Sequence, residues 1–141
     1  NVYVTPSYYV IKLYSQSGAE YVLESMNTSE TYDFDKVGHV EGMKGVPYVD
    51  AVACKGDGEI VIFIINRHLE KSAFVNFKIK GAKIKHHTVV SEITSDYPYD
   101  VNIQDKEKVK IRDSIIYSDL LEEGLLVSPY SIVRLKIPMM D

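Results

Sequence analysis

The chain reads as an all-β protein: an antiparallel, jelly-roll-like β-sandwich with one short N-terminal helix. Three observations predict this. About eight short runs rich in β-branched and aromatic residues follow one another, separated by clusters of Gly, Pro, Asn and Asp. The two clearest runs, residues 46–54 and 60–65, flank the turn Gly56-Asp57-Gly58, which is a hairpin signal. Helical start and stop signals occur together only near the N-terminus.

Thr5 can cap that helix, Pro6 suits its first turn, and Gly18 can stop it. Tyr8, Tyr9, Val10, Ile11, Leu13 and Tyr14 surround nearly the whole helix, with Lys12 the main exception. A helix apolar all round is normally buried on several sides. A short strand is expected at 21–23. Residues 25–45 then read as a long polar loop, of the kind that often covers something. In the hairpin, 60–65 has no polar interruption, so both faces of that strand should be covered. One cover is the core; the other must come from elsewhere, which suggests a piece of a larger protein. Without that larger partner the surface should self-associate or be covered by the N-terminal helix folding back. Residues 74–80 alternate, with Val75, Phe77 and Ile79 on one face and Asn76, Lys78 and Lys80 on the other. Further strands are expected at 84–93, 109–117, 125–127 and 131–137, with a second long loop at 94–108.

Length and composition bound the function. A chain of 141 residues fits one domain. A net charge of −4 argues against bulk nucleic-acid binding. No apolar stretch reaches membrane-spanning length. The lone cysteine, Cys54, excludes an internal disulfide and suits a reducing compartment, although a secreted domain can also lack disulfides. No nucleophile elbow, phosphate loop or zinc spacing is present, so neither a catalytic residue nor a cofactor is expected. His86 and His87 are adjacent on a strand and point to opposite faces, which argues against a shared metal ion.

Two residue pairs remain as candidates. Asp50 shares strand parity with Val46, Tyr48 and Val52, and a carboxylate facing an apolar layer needs a partner. Arg67 or His68 on the paired strand can supply one, as a structural pair or as a contact to another domain. Tyr97 and Tyr99, in the second long loop, are the candidates for stacking on a sugar.

The order of segments resembles the C-terminal portion of family-51 glycoside hydrolases, the α-L-arabinofuranosidases. The resemblance rests on Thr5-Pro6-Ser7-Tyr8-Tyr9-Val10-Ile11-Lys12-Leu13-Tyr14, on Val46-Pro47-Tyr48-Val49-Asp50-Ala51-Val52-Ala53, and on Phe63-Ile64-Ile65-Asn66-Arg67-His68. Asp100-Val101-Asn102-Ile103, Lys108-Val109 and Ser128-Pro129-Tyr130-Ser131-Ile132-Val133-Arg134-Leu135 complete it. It implies that residues 1–18 are a helix or connector leaving a catalytic (β/α)8 barrel, and that 19–141 are the C-terminal β-sandwich. It also implies that the parent enzyme removes terminal arabinofuranosyl groups from arabinose-containing polysaccharides and oligosaccharides by retention, using two glutamates outside this chain. The chain's partner is then its own barrel, and its role is accessory. The alternative is an independent carbohydrate-binding module. Apolar surface left without the barrel would favour a homo-oligomer.

Overall fold

In the computed structural model, residues 12–23, 29, 31–34, 43–94 and 109–141 are described. Residues 12–15 are helical and form α1. The strands are β1 (Tyr21–Val22), β2 (Thr31–Phe34), β3 (Met43–Pro47), β4 (Val49–Gly56), β5 (Glu59–Asn66), β6 (Ala73–Val75), β7 (His87–Thr94), β8 (Lys110–Tyr117), β9 (Leu125–Val127) and β10 (Ser131–Pro138). A helical turn, α2 (Leu120–Glu123), precedes β9. The fold is mostly β, and all described strand pairs are antiparallel.

Six strands form the main sheet in the order β1-β4-β5-β10-β7-β8. The β4–β5 hairpin is closed by Asp57 and Gly58, whose φ angles are 53° and 73°. A two-residue turn with both φ positive matches the right-handed strand twist, and Asp-Gly is a favoured pair for it. Leu135 sits at the sheet's centre, opposite Ile62 of β5 on one side and Val90 of β7 on the other.

Register divides the sheet into two faces, because directly paired residues share a face. On the first, Ile60, Ile62 and Ile64 pair with Ile137, Leu135 and Val133. This layer is the main core. Above it lie the β6–β9 ribbon with Val75 and Val127, Leu121 of α2, and Phe77, Ile79 and Ile84 of the chain after β6. Residues 74–80 were expected to be one strand. Only Ala73–Val75 pairs in a ladder, with β9, yet the alternation of inward and exposed side chains continues to Lys80. The period persists because the apolar side chains still seek the core after the ladder ends.

The second face carries Val61 and Phe63, both buried, beside Cys54. The helix covers this region. Leu13 is fully buried with Ile93 and Val109, and Tyr14 stacks on Phe63 at 4.3 Å between ring centroids. The cover expected for the uninterrupted apolar strand is therefore supplied, at Phe63, by the chain's own helix. Two cations from β10 hold its C-terminal end. Arg134 Nη1 donates to the Leu13 carbonyl at 2.8 Å, and Lys136 Nζ donates to the Gln16 carbonyl at 3.0 Å. Positive groups at a helix C-terminus meet its unpaired carbonyls and favour its dipole. Gly18, with φ 73°, then stops the helix as the sequence predicts.

Two expectations are corrected. Residues 25–45 are not one loop, since β2 and β3 pair antiparallel within and just beyond them, with Thr31 opposite Pro47. Glycines and polar residues hid these short strands. One helix was expected, and α2 is a second. Leu121 anchors that turn to the core at 2% exposure, while Glu122 and Glu123 beside it are exposed.

Candidate functional site

The chemistry-bearing side chains gather at the end of the β4–β5 hairpin opposite its turn. Asn66, the last residue of β5, organises this corner. It is 1% exposed, and its Nδ2 lies 3.1–3.2 Å from the carbonyls of Lys71, Val127 and Ser128. Its Oδ1 accepts the His68 backbone N–H at 3.1 Å. His68 Nδ1 in turn accepts the N–H groups of Glu70 and Lys71, at 3.1 and 3.0 Å. An acceptor Nδ1 places the ring proton on Nε2. The Asn66-Arg67-His68 run thus serves to lock the loop after β5 against the start of β10. The Arg67 N–H also donates to the Tyr48 carbonyl at 2.7 Å, and the Tyr48 and His68 rings lie 4.7 Å apart.

On this frame Arg67 Nη2 stands 3.7 Å from Asp50 Oδ2, with side chains 32% and 43% exposed. A half-exposed pair at that distance contributes little to stability, on the order of 0–1 kcal/mol. Asp50 also borders a hollow of about 260 Å³, walled by Tyr14, Val52, Cys54, Phe63 and Ile65. Burial pushes the Tyr14 phenol above its ordinary value, and the Asp50 charge pushes it the same way. Tyr14 therefore stays a hydroxyl and a hydrogen-bond donor at neutral pH.

The corner offers ring faces, one carboxylate and one guanidinium, which is the chemistry of recognition. Retaining glycoside hydrolysis needs two carboxyls about 5–5.5 Å apart. Among the described residues, Asp50 is the one carboxylate lining the hollow, and Arg67 stands beside it. Among the described residues, no three His, Cys, Asp or Glu side chains converge as a metal site. His87 instead lies against the Tyr117 ring, at 5.2 Å. No described helix is long and apolar enough to cross a membrane.

Of the predicted pairs, Asp50 and Arg67 meet as described. Tyr97 and Tyr99 lie outside the described residues. Sequence reasoning passed over Tyr14, Tyr48 and Cys54 as parts of this corner. Tyr48 and Asp50 share strand parity, but nothing local signals that the helix lays Tyr14 beside them.

A family model described as the α-L-arabinofuranosidase C-terminal domain matches residues 1–128. No curated protein matches the sequence. Among solved structures, the chain is similar to part of an α-L-arabinofuranosidase from Thermotoga maritima, solved as an arabinose complex, with a TM-score of 0.86 at 19% identity. That match covers 97% of this chain and 29% of the other. A thermostable GH51 α-L-arabinofuranosidase from Thermotoga petrophila matches at TM-score 0.86 and 21% identity, over 94% of this chain and 29% of its own. A GH51 arabinofuranosidase from Xanthomonas axonopodis pv. citri matches at TM-score 0.73 and 21% identity, over 95% and 26%. The chain thus spans under a third of the length of these solved relatives.

Proposed function

The chain belongs to the family of α-L-arabinofuranosidase C-terminal domains, and from that premise we propose that it is the non-catalytic accessory domain of a retaining arabinofuranosidase. The parent enzyme removes terminal non-reducing arabinofuranosyl groups from arabinose-containing polysaccharides and oligosaccharides. Residues 1–18 are the connector from a catalytic barrel, and residues 19–141 are the accessory β-domain. The two glutamates that serve as acid/base and nucleophile belong to the barrel.

The observation that carries this reading is coverage. Nearly all of this chain aligns with under a third of each arabinofuranosidase it resembles. The corner at Asp50 supports the accessory role, because its carboxylate is met by Arg67 and, among the described residues, no second carboxylate lines the same hollow. The test is turnover of an aryl α-L-arabinofuranoside. The 141-residue chain should release no arabinose, while the enzyme encoded by the complete gene should release it with retention. Turnover by the purified chain, abolished by a single Asp or Glu substitution within it, would overturn the reading.

A second reading, an independent carbohydrate-binding module, draws support from Tyr14, Asp50 and Arg67 around the hollow. Titration with arabino-oligosaccharides tests it. Micromolar affinity lost in Asp50→Ala would favour it over the accessory role.

A further inference from the structure

The charge of this chain is unevenly placed. Five of its 16 basic residues, Lys71, Lys78, Lys80, Lys83 and Lys85, fall between Lys71 and Ser91, and none of its 20 acidic residues does. All five lysines are exposed, and so are His86 and His87. Phe77, Ile79, Ala82 and Ile84 pack inward on the core from the same stretch, which turns the lysines between them outward. Extended chain advances about 3.3 Å per residue, so Lys78 and Lys80 on one side of Gly81, and Lys83 and Lys85 on the other, repeat at roughly 6–7 Å.

The strip is held in place at its C-terminal half. The Lys83 carbonyl accepts the Met140 N–H, the Lys85 N–H donates to the Pro138 carbonyl, and Ile84 bridges Met139. Lys83 also lines an open hollow with Lys55 and Asp141, so one carboxylate borders the strip there. Outside this stretch the chain carries all 20 acidic residues against 11 basic ones, so the stretch is the most cationic part of the sequence.

We propose that this lysine strip is a docking surface for a linear polycarboxylate, a uronic-acid-bearing polysaccharide chain. The choice of a saccharide polymer rests on the proposed accessory role in a polysaccharide-degrading enzyme; the preference for anionic chains rests on the strip. Two pairs of ammonium groups, Lys78 with Lys80 and Lys83 with Lys85, on either side of Gly81 suit a ligand that carries one carboxylate per sugar. A nucleic acid fits less well. From Lys78 to Lys85 no aromatic side chain turns outward on which bases could stack, Phe74 near Lys71 being the one exposed phenyl ring of the stretch, and the net charge of −4 opposes a dense polyphosphate. Exposed lysines also guard strand edges against unwanted pairing. That role alone would leave the strip indifferent to polyanions.

The test is affinity electrophoresis of the full 141-residue chain in gels containing polygalacturonate, neutral arabinan or a single-stranded oligonucleotide. The variant is Lys80→Glu with Lys83→Glu. The control is Lys12→Glu with Lys110→Glu, which changes net charge equally away from the strip. Polygalacturonate should retard the parent chain and the control, and retardation should weaken at least about tenfold in the strip variant and on raising salt from about 50 to about 200 mM. Equal binding by strip variant and control, retardation by the oligonucleotide in preference to polygalacturonate, or no polygalacturonate binding by the parent chain would each overturn the proposal. These outcomes are independent of arabinofuranoside turnover by the complete enzyme. Polyuronate binding beside an inactive parent enzyme would sink the accessory reading alone, and an active enzyme whose chain ignores polyuronate would sink the strip alone.

Discussion

Asn66→Ala should be among the most destabilising single changes outside the apolar core. The side chain is 1% exposed and serves three carbonyls through Nδ2 and one N–H through Oδ1. The bond to Val127 is buried, so truncation leaves that carbonyl without protein or water, at a cost of roughly 1–3 kcal/mol. The other three groups are partly exposed and recover some hydration, so each loses a fraction of a net bond, on the order of 0.5 kcal/mol. The sum is about 3 kcal/mol. For a domain of this size that lowers Tm by roughly 10–15 °C. Urea unfolding followed by far-UV circular dichroism reads it as a lower midpoint at unchanged slope. Asn66→Asp should cost at least as much, because it keeps an acceptor for the His68 N–H but sets carboxylate oxygen against three carbonyls. Asn76→Ala, at an exposed position, is the control. An Asn66→Ala loss no larger than the control's would refute the view that this residue locks the loop.

Further expectations follow from the same structure. Leu135→Ala removes a fully buried side chain between Ile62 and Val90 and should cost about 2–5 kcal/mol in the same unfolding assay. Arg134→Met should free the helix end by deleting the bond to the Leu13 carbonyl, raising amide exchange at residues 12–17 while β5 and β10 stay protected. Glu92 is held above the usual carboxylate range by burial, which outweighs Arg112 across the strand pair. A raised folded pKa makes its contribution fullest below the unfolded pKa and removes it as pH rises through the folded one. Glu92→Gln should therefore gain stability relative to the parent at pH 7 and lose that advantage near pH 4. Arg112→Ala should steepen the parent's fall between those pH values.

The strands with a strong local signal were legible from the sequence. The Asp57-Gly58 turn sets the β4–β5 register, and Leu125–Val127 and Ser131–Pro138 lie where their patterns place them, within a residue. Residues 31–47 were not, because strands as short as β2 and β3 carry too few apolar positions to show a period. Asp50 and Arg67 could be brought together in thought because pairing of adjacent strands is a local consequence of the hairpin. The burial of Leu121 in α2 depends on a core assembled from distant segments, so no local pattern signals that turn.

What the sequence by itself determined is strand period, hairpin register and the need for a second cover over residues 60–65, all properties of a few neighbouring residues. Only the tertiary structure decided what supplies that cover. Arg134 and Lys136 reach α1 across more than a hundred residues of chain, and their pull on its carbonyls exists only once β10 lies beside β5. The same holds for the corner at Asn66, which joins β5 to the start of β10. Its hydrogen bonds satisfy backbone groups that folding itself buries, so no local pattern could announce them.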